Sequence, residues 1–115
     1  MEETINELLT STSSKYNFSG SLVKPFDTFK FANPHIPSLE KDGLYLFHLN
    51  IITTYGGNIS LFINEKMILN IQSNNNIVIH DIVFLRKGDV FSLKNISNKN
   101  LKINRNNFLL VALLE

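Results

Sequence analysis

The sequence predicts an all-β fold: a two-sheet antiparallel jelly-roll sandwich behind a short helical or flexible N-terminal segment. Three observations predict it. From Tyr16 onward, short β-branched and aromatic runs are broken by turn residues about every 8–12 positions. No stretch of that region sustains a helical period. With no crossover helix between the runs, neighbouring strands must connect antiparallel.

Taken in order, Ile5, Leu8 and Leu9 have the spacing of two helical turns, and Thr10 to Ser14 then reads as a linker of hydroxyl side chains. The expected division is residues 1–15 as an N-terminal helical or linker segment and 16–115 as the domain. Phe26 to Phe31 alternates as a strand should and stops near Pro34 and Pro37, where proline removes ladder donors. Leu44 to Ile52 is the next strand, followed by a loop around Gly56 and Gly57. Ile59 to Asn64 and Lys66 to Ile71 form a hairpin about Asn64 and Glu65. After the Asn74 to Asn76 tip comes Ile77 to Leu85, where Ile82 and Phe84 beside His80, Asp81 and Arg86 come near the alternation of a strand with one wet face. Lys87-Gly88-Asp89 is a tight turn. Val90 to Ile96, Leu101 to Ile103 and Phe108 to Leu114 complete the set.

Composition bounds the function. The 115 residues suit one domain with one core. A net charge of +1 offers no electrostatic footprint for nucleic acid or anionic membrane. The absence of cysteine excludes disulfides and thiolate metal sites. No run approaches the ~20 apolar residues of a membrane helix, and Met1 to Thr10 has no signal-peptide pattern. The expectation is synthesis in the cytosol. The asparagine- and isoleucine-rich usage is that of AT-rich codons, as in a low-GC bacterium, a phage or a large virus.

Two strands are more apolar than one sandwich requires, because successive side chains point to opposite faces. Leu44 to Ile52 has Tyr45, Phe47, Leu49 and Ile51 on one face and Leu44, Leu46 and Ile52 on the other. Phe108 to Leu114 is apolar throughout. A second apolar face needs a second partner, and self-association supplies it.

At these residues the sequence resembles the superfamily of tumour necrosis factor and the globular heads of complement and collagen-like proteins. The pattern comprises Gly43-Leu-Tyr45-Leu-Phe47-His-Leu49, then Leu85-Arg-Lys-Gly88-Asp89-Val-Phe-Ser-Leu93, then Phe108-Leu-Leu-Val-Ala-Leu113, in order over roughly Ser21 to Leu114. The resemblance implies a ten-strand jelly roll that forms a homotrimer, its glycine-led and C-terminal strands adjacent in the sheet facing the threefold axis. It implies that Tyr45, Phe47, Leu49, Phe108 and Leu110 fill the core. Leu46, His48, Asn50, Leu109, Val111 and Leu113 would form the trimer interface, so Val111→Asp is expected to break assembly. Without a collagen-like repeat or a membrane anchor, the better match is to bacterial and phage relatives, which serve as spore-surface layers and receptor-binding tail tips.

Nothing in the sequence marks an enzyme. His35, His48 and His80 are isolated, without the His-x-His of a cupin metal site. The aspartates lack calcium-loop spacing, and no Gly-x-Ser-x-Gly is present. No cofactor and no metal is expected; His48, brought to a threefold axis, is the one candidate for binding an ion. A lectin-like tip using Tyr55 or Asn74 to Asn76 is the alternative, weakened by the lack of tryptophan. A larger surface assembly, or a host receptor or glycan, is the expected partner beyond self.

Overall fold

The computed structural model describes residues 13–32, 39–53, 56–74, 76–104 and 107–114. These residues hold nine strands: β1 (Ser13–Asn17), β2 (Leu22–Val23), β3 (Gly43–Ile52), β4 (Gly57–Ile63), β5 (Lys66–Ser73), β6 (Asn76–Leu85), β7 (Phe91–Asn95), β8 (Leu101–Lys102) and β9 (Phe108–Leu114). One layer is the four-stranded sheet β1-β9-β3-β6. The other comes in two pieces, β5-β4-β7 and β2-β8, with a bridge between Thr28 and Lys94 beside them. Every pairing is antiparallel. This is a jelly roll of tumour-necrosis-factor type.

The core lies between the layers. Phe47, Leu49, Ile51, Ile77, Ile79 and Leu109 meet Ile59, Leu61, Phe91, Leu93 and Leu101 from the opposite side. Phe91 stands edge-on to both Phe47 and Tyr16, with ring centroids 5.4 and 5.2 Å away, so one aromatic column ties β7 to β3 and β1.

Two of the connections follow from backbone chemistry. Asn64 and Glu65 both take positive φ, 50° and 68°, the conformation a two-residue hairpin needs to match strand twist. Asn64 is held there: its amide donates to Asp89 Oδ1 at 2.8 Å, and its Oδ1 accepts from Val90 N at 2.9 Å. The Asp89 carboxylate also accepts from Arg86 N at 2.9 Å across the turn at Gly88, whose φ is 89°. These hydrogen bonds, Arg86 N foremost, hold the Asp89 carboxyl below the usual carboxylate range.

Two expectations need correction. The expected N-terminal helix falls in residues 1–12, outside the described residues, but Ser13 to Lys15 are no linker. They pair with Ala112 to Leu110 as the start of β1, because the open edge of β9 leaves ladder groups that a passing chain can satisfy. Phe26 to Phe31 is not a strand. Pro25 and Phe26 occupy the middle of a turn closed by Asp27 N donating to Lys24 O at 3.1 Å, with Phe26 at φ 65°. Its strand-like pairing is confined to isolated bridges, Thr28 to Lys94 and Phe31 to Phe18, while Phe29 packs into the core. In β6 Ile77, Ile79 and Leu85 are buried, and Ile82 and Phe84 point outward on the face of His80.

Candidate functional site

Register determines what the outer side of the four-stranded sheet presents. Directly opposed residues of an antiparallel pair share a face. Across β3 and β9 the opposed pairs are Tyr45 with Leu113, Phe47 with Val111, and Leu49 with Leu109. These six occupy the sandwich side: all but Leu113 are buried members of the core, and Leu113 packs against it. The opposite face pairs Leu44 with Leu114, Leu46 with Ala112, and His48 with Leu110.

The expected division of β9 is therefore inverted. Leu109, Val111 and Leu113 belong to the core, whereas Leu110 and Phe108 are on the outer face. Leu110 is fully buried there without joining the core cluster, and Phe108 is half-buried. The physical reason is that β9 is apolar on both faces, so its own pattern carries no parity. Only its hydrogen-bond register with β3 sets which residues point inward. On β3 the outward residues are Leu46, which is buried, His48, half-buried, and Asn50, exposed.

The outer face extends over β6, whose residues Phe84, Ile82, His80 and Val78 oppose Leu44, Leu46, His48 and Asn50. Phe84 is 59% exposed, Ile82 53% and Leu44 46%. Leu46, Leu110 and Ala112 share this face but are buried within the chain, and Leu114 is half-buried. Sequence reasoning missed Ile82 and Phe84, although the apolar odd positions Ile77, Ile79, Val83 and Leu85 were an equally strong signal for the inner side.

Two histidines sit in the middle of this surface. His48 and His80 are directly opposed, with Nδ1 atoms 3.2 Å apart and rings nearly perpendicular, centroids 5.4 Å apart. One Nδ1–H donates to the bare Nδ1 of the other. Burial, and secondarily the neighbouring His80, hold the His48 imidazole below its ordinary range. On the β1 side Lys15 opposes Leu110 and places Nζ 4.3 Å over the ring of Phe108. His35 and Tyr55 lie outside the described residues, and no cluster of three potential metal-ligating side chains occurs among those described.

A second feature is a polar cleft at the end of the other layer, lined by Asn58, Gln72, Asn74, Ser97 and Asn98. Asn58 Oδ1 is buried there without a hydrogen-bond partner.

No family model and no curated protein matches the sequence. Solved structures do match the fold. Rabbit GITRL superposes with a TM-score of 0.60 at 15% identity, covering 91% of this chain and 95% of that one. Eiger TNF from S. frugiperda gives 0.60 at 17% identity, with 90% and 92% covered. The C-terminal CBM6 of LamC, a marine laminarinase from Zobellia galactanivorans, gives 0.51 at 16% identity, with 89% of each chain covered. The chain thus has the jelly-roll architecture of tumour-necrosis-factor-like proteins.

Proposed function

We propose that the chain is a non-enzymatic homotrimeric module for structure or receptor recognition. Its setting in this reading is a spore surface or a phage or virus particle, reached after synthesis in the cytosol. The observation that carries the assembly is the outer face of β1-β9-β3-β6. Phe84, Ile82 and Leu44 are exposed together on it, an apolar patch of the kind that marks a protein interface, while Leu46, Leu110 and Ala112 of the same face are already buried within the chain. A second copy is its occupant, because the two strands that the resemblance brings to a threefold axis, β3 and β9, are those that form it. Leu46, His48 and Asn50 keep their expected place in that interface. Leu110, Ala112, Ile82 and Phe84 replace Leu109, Val111 and Leu113.

Light scattering at micromolar concentration tests the reading, with a trimer as the expected mass. A stable monomer in neutral buffer would overturn it. The spore or particle setting rests on composition, and neighbouring sporulation or tail genes are the evidence to seek.

A second reading is glycan recognition at the amide-lined cleft. It is favoured by the unpartnered Asn58 Oδ1 and by the likeness to a carbohydrate-binding module of the same architecture. Side-chain amides can hydrogen-bond sugar hydroxyls as donor and acceptor together. Glycan-array binding that disappears in Asn58→Ala and Gln72→Ala would establish it; an array that stays blank removes it.

A further inference from the structure

The proposed interface carries a titratable pair at its centre and, among the described residues, no carboxylate beside it. The row across the sheet reads Lys15, Leu110, His48, His80, from β1 through β9 and β3 to β6. The outward residues around that row are Phe108 and Ala112 on β9, Leu46 and Asn50 on β3, and Val78 and Ile82 on β6. Within β1, β9, β3 and β6, Lys15, His48 and His80 are the only titratable groups on this face among the described residues, and Asp42 and Arg86 flank its far end beyond Leu44 and Phe84. Asp81, next in sequence to His80, opposes Phe47 on the other face, and its Oδ1 accepts from Ile82 N at 2.9 Å. No described carboxylate stands beside the pair on this face to balance a proton.

The geometry also sets what the pair tolerates. An Nδ1···Nδ1 contact of 3.2 Å needs one ring to donate and the other to accept. The neutral pair satisfies this and leaves one Nε2–H donor and one bare Nε2 acceptor. Identical copies meeting around an axis can match such groups donor to acceptor. A first proton puts an unbalanced charge on an apolar surface, and a second removes the internal hydrogen bond as well. Burying an uncompensated charge is expensive, whereas a separated chain can leave it in water.

We propose that the His48–His80 pair makes self-association through this face acid-labile, the copies holding together while the pair is neutral and separating when it is protonated. The proposal rests on the assembly argued above. In linkage terms, burial between copies disfavours the protonated form, so separated chains bind more protons than the assembly. Association is then at full strength above the histidine range of the free chain and is lost as pH falls through it. With one proton per pair and three pairs, the association constant falls by up to about a thousandfold per pH unit.

The test is sedimentation of the full chain at about pH 8 and about pH 5, with circular dichroism at both, since a histidine switch acts between them. The wild type is expected as a trimer at the higher pH and as a folded monomer at the lower. The double variant His48→Gln, His80→Gln is expected to stay trimeric at both. A wild-type trimer that persists at the lower pH overturns the proposal, as does a double variant that separates like the wild type or a chain that unfolds before it separates. A wild type already monomeric at the higher pH removes the assembly reading itself, which separates the two failures. A second measurement needs no histidine variant. The ring resonances of His48 and His80 should titrate at lower pH in the wild-type assembly than in an Ile82→Asn monomer, which adds no charge beside the pair, and equal titration overturns the proposal.

Discussion

Asn95 shows how one polar residue can organise several chain segments. Its position in Val90 to Ile96 reads as a wet-face residue beside Ser92 and Lys94, yet it is fully buried. Its Nδ2 donates to Val23 O and Lys99 O at 3.0 Å each, with Lys24 O a longer 3.3 Å away. Its Oδ1 accepts from Ser97 N at 3.0 Å and Ser97 Oγ at 2.6 Å. The backbone adds two bonds: Asn95 N donates to Asp27 O, and Asn95 O accepts from Phe26 N. β2, the Lys24 to Asp27 turn and the loop after β7 therefore converge on one amide. A single sequence could not reveal this, because surface asparagines are common in this chain and nothing in local pattern distinguishes a buried one. Asn95→Ala strands several of these groups at once, so it is expected to destabilise by about 2–3 kcal/mol. Chemical denaturation reads it directly, and a loss under half a kcal/mol would show that water replaces the amide.

Among the elements, β3 was legible from its length, its leading glycine and its aromatic alternation. The β4–β5 hairpin was legible because Asn64 tolerates positive φ. The short strands β1 and β2 were not. Ser13 to Asn17 has no apolar alternation, and its strand state depends on pairing with β9, a long-range event invisible in local composition. β9 teaches the opposite lesson, since it was found with ease but its parity was not. That parity separates two kinds of variant. Val111→Asp puts a carboxylate into the core against Phe47 and is expected to unfold the domain. Ile82→Asp places one on the exposed face and is expected to give a folded monomer. Circular dichroism and sedimentation on both proteins distinguish the outcomes, and a folded, monomeric Val111→Asp would refute the register.

At the scale of the whole molecule, the all-β class was legible because turn residues punctuate the chain regularly and the apolar runs are strong, whereas the adjacency of β3 and β9 came only from the resemblance. The candidate interface was legible only in part: the surplus of apolar surface showed in the sequence, but its exact membership depended on register. The extended polar cleft near Asn58 was not foreseen, since its residues come from three separated stretches, 57–58, 72–74 and 97–99. The antiparallel pairing of β1 with β9 has one more consequence. Ser13 lies opposite Ala112, so the first strand begins at the pole where the last one finishes. A short linker from Leu114 to Ser13 would close the chain into a ring that could be reopened near Asn74, between β5 and β6, with every strand pairing kept. Such a permutant is expected to fold with the parent's circular dichroism spectrum. The points where the chain enters the described domain at Ser13 and leaves it at Leu114 thus share one side, which gives the domain a built-in polarity.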